Sequence, residues 1–235
     1  MNLLKIKNKV KVDFIHILKA FFRFFTKRGS NISFSQNGED AVVCALLRNV
    51  ENGVYVDVGA YHPFLYSNTY ALYRKGWKGV VVDPNKMMNI LYKIFRRRDT
   101  FVNLGVGSKK IPQTYFMFSD GAYNTFDENV SVERKKMKHL SFLESIPVHV
   151  SPLSEIIKHS KLPRIDFLNI DVEGMDMDVL LSHDWVVRPR VIAVEDHKFS
   201  FSDPAQSTIY CFLTKKDYRL SSVTAFTLIF EDVNS

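Results

Sequence analysis

Val54-Tyr-Val-Asp-Val58-Gly59-Ala60-Tyr61-His62-Pro63 is the stretch that decides the fold. Its first five residues are a β-branched run too short for a helix, and Gly53 and Gly59 bracket it with turn residues. The same punctuation recurs downstream. Gly79-Val-Val-Val-Asp83 reads as a second strand, Thr100–Leu104 as a third, Ile165–Ile170 as a fourth and Val191–Glu195 as a fifth. Helical patterns over 65–76, 84–98, 175–182 and 204–215 separate them, and Ser151–Lys161 reads as another helix with Ser151 as N-cap and Pro152 in its first position. Gln113–Phe118 adds a strand-like run, and residues 119–145 are polar and without clear period. Tyr218–Leu220 and Thr227–Phe230 close the chain as a pair with no helix between them. Strands alternating with helices predict an α/β fold with a mainly parallel sheet, helices on both faces and an antiparallel C-terminal hairpin.

In such a sheet ligands sit beyond the carboxyl ends of the strands. Those ends carry Asp57-Val-Gly59, Asp83-Pro84-Asn85, Asn103-Leu-Gly105, Asp171-Val-Glu173-Gly174 and Glu195-Asp196-His197, so acids and amides converge there. A dinucleotide site needs G-x-G-x-x-G at the first turn so that backbone can approach a pyrophosphate. Here one glycine is followed by Ala60, Tyr61, His62 and Pro63. An acid before that turn repels phosphate and attracts a cation. Asp83 stands where an acid takes two ribose hydroxyls. A positively charged nucleoside without phosphates fits both features, and S-adenosylmethionine is such a molecule. The plainer reading of Asp57 and Asp83 is that each caps the helix after it.

The chain has 235 residues, 46% of them apolar and 24% charged, which excludes collagen-like, low-complexity and disulfide-stapled classes. Cys44 and Cys211 read as two reduced thiols buried in the core. The net charge of +7 lies entirely in residues 1–28, where eight cations face Asp13 alone. The remainder balances, so no basic groove for nucleic acid is expected. Residues 10–25, VKVDFIHILKAFFRFF, are too interrupted by charge to span a bilayer and lack a signal-peptide core. They suit an amphipathic helix on an anionic membrane surface, the inner face of the cell membrane for a cytoplasmic protein. A helix docked on the domain or on a partner subunit of a homo-oligomer has the same pattern. The boundary falls at residues 26–31, giving a basic segment over 1–30 and a catalytic domain over 31–235.

The ordered set Ser35-Gln-Asn-Gly-Glu-Asp40, Tyr55–Pro63, Ser67-Asn-Thr69, Gly76-Trp-Lys-Gly79, Asp83-Pro84 and Asp166–Gly174 resembles the FkbM-type methyltransferase family from about Ser33 to Phe230. The resemblance implies a class I, Rossmann-like fold and S-adenosylmethionine-dependent O-methylation of a sugar or other hydroxylated acceptor. By that resemblance Asp57 and Gly59 line the methionine end of the cofactor and Asp83 holds the ribose. The loop from Gln36 through Glu39 to Asp40 covers the site. Pro84 and Asn103, at the neighbouring strand ends, complete the cofactor set.

Methyl transfer to a hydroxyl needs an aligned oxygen and a proton acceptor. His197 is the best base by intrinsic pKa, with Asp171 and Glu173 as alternatives. The same three could instead share a divalent metal, although no tight ligand spacing marks one. Tyr61, His62, Tyr123 and Asn124 are acceptor-contact candidates, the last two in a lid over 119–145. Arg96-Arg-Arg98 reads as a solvated helix end, and Glu133–Lys138 as an exposed helix whose cations could meet the phosphates of a nucleotide-linked sugar. Competing functions are a nucleotide-cofactor oxidoreductase and a non-enzymatic membrane-associated binding module on the same fold.

Overall fold

A computed structural model describes residues 32–235. The amphipathic helix and membrane contact expected of residues 1–30 lie outside the described residues. Seven strands form the central sheet: β1 (Val54–Val58), β2 (Lys78–Val82), β3 (Thr100–Val102), β8 (Ile165–Ile170), β9 (Pro189–Glu195), β10 (Tyr218–Thr224) and β11 (Thr227–Asp232). Their spatial order is β10-β11-β9-β8-β1-β2-β3. The five from β9 to β3 run parallel; β11 is antiparallel to both β9 and β10. The mainly parallel sheet and the terminal hairpin are as expected.

Alternation along the strands assigns the two faces. Val56 and Val58 of β1 join Val80, Val82, Leu168, Ile170, Ile192 and Val194 beneath α5 (Leu153–His159), α6 (Asp176–Leu181) and α7 (Thr208–Thr214). Tyr55 joins Val81, Phe167, Val191, Ala193 and Ile229 on the other face, under α1 (Glu39–Leu46), α2 (Tyr70–Arg74) and α3 (Met88–Phe95). Both faces are therefore covered, as a parallel sheet requires.

Between β3 and α5 the chain leaves the sheet. β4 (Gly105–Val106) pairs with β7 (Val150–Ser151), and β5 (Gln113–Phe118) forms an antiparallel hairpin with β6 (Phe142–Val148). The segment expected to lack clear structure contains a 3₁₀ turn at Gly121–Tyr123 and α4 (Glu128–Arg134), capped by Asp127 through the amides of Asn129 and Val130.

Four expectations need correction. α2 spans only Tyr70–Arg74, because Gly76 adopts φ 95 and the chain before Tyr70 is held in a polar loop. Ser151 ends β7, and α5 starts one residue later than expected; the amide of Leu153 donates to Ser182 Oγ from α6. Cys44 and Cys211 are unpaired but each is partly exposed. Arg96 is not solvated: it follows the last residue of α3 with φ −132, leaves the helical path and is fully buried. Among the described residues, no helix is long and apolar enough to cross a membrane.

Candidate active site

A cleft open to solvent lies beyond the carboxyl ends of β1, β2 and β8. Gln36, Gly59, Tyr61, Asp83, Pro84, Asn124, Asp171 and Glu173 line it, so eight of the residues singled out in the sequence meet there. Tyr66, Tyr115, Gly121, Ala122, Phe126 and Val172 complete the wall. An adjoining smaller, mostly apolar slot is shaped by Leu104, Val106, Val150 and Met175.

The first turn is closed on itself. Gly59 and Ala60 both donate their amides to the carbonyl of Val82, at 2.9 and 3.1 Å, and the amide of Tyr61 donates to Asp83 Oδ2 at 2.9 Å. The amides of Gly59, Ala60 and Tyr61 are thus all taken, and none of the three points at a phosphate. Gly59 must be glycine: its φ is +80, and a Cβ would come within 1.7 Å of the Asp171 carbonyl. The β1 and β8 loops can touch only because of it.

Asp83 is buried at the cleft floor, accepting from Asn85 N at 2.7 Å as well as from Tyr61. Burial, joined by the neighbouring Asp57 charge, outweighs these two bonds and pushes its carboxyl up to about 7. Asn103 supports this corner from below, donating Nδ2 to the carbonyls of Asp83 and Pro84 at 2.9 Å each; it braces the wall and does not form it.

On the β8 side, burial and then the charges of Glu195, Glu173, Asp176 and Asp57 raise Asp171 well above the carboxylate range. Asp176 caps the turn by accepting from Val172 N and Gly174 N, and burial lifts it to about 7. Burial and the Glu173 charge lift Glu195 to about 7 as well. The cation facing this acid group is Arg134 of α4, which bonds Glu173 and donates to the carbonyl of Tyr123 at 2.6 Å. Thr125 Oγ1 donates to the Glu173 carbonyl at 2.9 Å, so two bonds hold the inserted segment to the β8 loop. The cluster over Glu133–Lys138, open in the sequence to an exposed helix or to part of a lid over 119–145, thus supplies through Arg134 a tie between the inserted segment and the β8 loop. α4 ends at Arg134; Glu133 and, beyond the helix, Lys135, Lys136, Met137 and Lys138 are exposed.

Several expected contacts lie elsewhere. Asp57 is beneath the cleft, because it shares its strand face with Tyr55; Oδ2 accepts from Thr69 Oγ1 at 2.5 Å and Oδ1 from Asn169 Nδ2 at 2.9 Å. Glu39 is buried at the start of α1, accepting from Asn37 N and from Thr224 Oγ1 at the end of β10. His62 turns Nδ1 toward the amides of Phe64 and Leu65, and burial lowers its pKa. Tyr123 contributes its carbonyl to Arg134, while its ring rests near His139. His197 is exposed, 3.3 Å from Glu195 and against the Phe226 ring, outside the cleft wall. It does not join Asp171 and Glu173, and among the described residues no three His, Cys, Asp or Glu side chains gather as a metal site.

The largest feature hidden from sequence reading is a polar knot under the cleft. Arg96 donates to Asp99 at 2.6 Å, Tyr55 Oη at 2.8 Å, Thr69 Oγ1 at 3.0 Å, Ser67 Oγ at 3.2 Å and the Pro63 carbonyl at 3.3 Å. Thr69 passes the chain to Asp57, Asp57 to Asn169, and Asn169 to Asn68 at 2.9 Å. Ser67-Asn-Thr69 therefore ties the loop after the first turn to β1 and β8.

Residues 57–220 match the model of the Methyltransferase FkbM domain. No curated protein matches the chain at a significant level. The matched span opens at Asp57, includes both acidic strand ends of the cleft and closes on β10, well over half of the sequence. The chain is thus a member of the FkbM methyltransferase family.

Proposed function

We propose that this methyltransferase uses S-adenosylmethionine and methylates a hydroxyl of a sugar or glycan precursor. The carrying observation is Asp83: a buried acid at the end of β2, its carboxyl raised toward neutrality, beside a first turn whose Gly59, Ala60 and Tyr61 amides are all taken. That combination supports a ribose without a pyrophosphate and disfavours the oxidoreductase alternative. The apolar slot beside Pro84 suits a flat base, held by Leu104, Val106 and Met175. Among the described residues, no Lys or Arg lines the cleft, while Asp83, Asp171 and Glu173 do. Asp83 and Asp171 are raised chiefly by burial, and a positive sulfur there favours the ionised form of Asp83. When bound, the cofactor supplies a methyl group on that cationic sulfur.

The chain's own residues then have definite tasks. Gln36, Gly59 and Pro84 border the cofactor side, and Asp83 holds the ribose hydroxyls. Tyr61, Tyr66, Tyr115 and Phe126 present aromatic faces on which an acceptor ring can lie. Asp171 is the proton acceptor in this reading, in place of His197: it lines the cleft, and its raised pKa brings it closer to the operating pH than an ordinary carboxylate. Glu173 is occupied by Arg134.

Calorimetric titration with S-adenosylmethionine and, separately, NAD tests the cofactor. Binding of the first alone is expected; binding of NAD alone overturns the reading. Asp171→Asn should then keep cofactor affinity and lower turnover by about 10²-fold or more on a sugar acceptor, the usual worth of a general base. His197→Ala should stay near wild type. The reverse pattern returns the role to His197.

A further inference from the structure

α3 exposes the wrong face. Met87, just before it, and Ile90 and Ile94 within it are 66%, 57% and 52% exposed. At about 100° per residue these three fall within roughly 60° of one another, a single apolar stripe along the helix. Lys86 and Lys93 run along one edge of that stripe, and Arg97 follows its end; all three are exposed. From Pro84 to Arg98 there is no acidic residue. The helix also reaches toward the cleft, from the side of the stripe away from the lysines. Phe95 packs edge-on against Phe64 at 5.4 Å, and the same loop carries exposed Leu65 and Tyr66, the latter a wall of the cleft.

We infer that this stripe is a membrane-contact surface whose occupant is an anionic lipid bilayer. An exposed apolar row with a cationic edge and no acid is the chemistry that inserts shallowly among acyl chains while its lysines meet lipid phosphates. Charge selects this occupant over the two rivals. Residues 1–28 carry eight cations against one acid, so they are repelled by a cationic edge and attracted to the same lipid surface. A second copy docked antiparallel, by a two-fold axis across the helix, would bring Lys86 and Lys93 toward their own equivalents. The surface stands independently of the methyl-transfer reading. Resting on that reading, it names the acceptor class: a hydroxyl carried on a lipid, presented to the cleft past Leu65 and Tyr66 without leaving the bilayer.

The test is co-sedimentation of the full chain with vesicles of phosphatidylcholine alone and of phosphatidylcholine with phosphatidylglycerol. The wild type should bind only the anionic vesicles, and less as salt rises. Ile90→Asp with Ile94→Asp should weaken that binding by about tenfold or more. Lys86→Ser with Lys93→Ser, a gentler change, should weaken it several-fold. Both variants should keep wild-type affinity for S-adenosylmethionine, which reports an intact cleft. Equal vesicle binding by wild type and both variants overturns the proposal and leaves residues 1–28 as the whole contact. No binding of the wild type to either vesicle overturns it too. So does a wild-type dimer in sedimentation velocity that Ile90→Asp disperses, since a second copy is then the occupant. A chain that binds vesicles but no S-adenosylmethionine removes the acceptor assignment and leaves the surface standing.

Discussion

Asp83 and Arg96 are both buried and ionisable, and they were unequally legible. Asp83 could be read from sequence because an acid directly after a short apolar strand has few places to go. Replacing it with Ala should weaken S-adenosylmethionine binding by roughly 1–3 kcal/mol, the worth of charged hydrogen bonds. The loss should be measurable by calorimetry at a temperature where the free variant is still folded. The pH dependence has a definite sign. Its carboxyl sits near 7 in the free protein, and a ribose or a cation favours the ionised form, so affinity should fall as pH drops below about 7. Arg96 could not be read, because three consecutive arginines after an apolar helix look like a solvated end. What decides its fate is the break in helical backbone at that residue, which swings the guanidinium under the sheet. Arg96→Met should cost about 3–5 kcal/mol in urea denaturation, because Asp99 stays buried without its cation. A loss below about 1 kcal/mol would show that the knot is ornamental. Asp57 sits between these cases: its position on the strand was legible, but not which sheet face it served.

At the scale of elements, the parallel strands were legible because burial on both faces makes them continuous apolar runs. The β5–β6 hairpin was not. Phe142, Leu143, Glu144 and Ser145 of β6 are all exposed, so this strand lacks the alternation that reveals one. The segment formed by this hairpin and α4 is held to the β8 loop by Arg134 and Thr125. Arg134→Gln should therefore loosen the segment 119–141 without unfolding the sheet, seen as faster limited proteolysis there and an unchanged urea midpoint. Because Arg134 also lowers the pKa of Glu195, the variant should move any apparent pKa near 7 in the activity profile upward. A profile that does not move separates Glu195 from the reaction.

For the molecule as a whole, the acids at the strand ends make ligand-free stability depend on pH. Asp83, Asp176 and Glu195 are raised to about 7, and Asp57, Asp99 and Asp171 are raised as well. The folded state keeps these protons to higher pH than the unfolded chain. Their contribution is full below about pH 4 and is lost as pH rises through about 7. Asp232, lowered by Arg188, works in the opposite direction but titrates below this window. The melting temperature of the free protein should fall between about pH 5 and pH 7.5, and S-adenosylmethionine should raise it most at the upper end. A flat profile would mean that the strand-end acids are hydrated and independent. The sheet order also sets a timetable for synthesis. β11 lies between β9 and β10, so an interior strand is the last of the sheet to leave the ribosome. Until Thr227–Asp232 emerges, the nascent chain carries Val191–Glu195 as an open β-edge, a template for sticking to its neighbours on the same message.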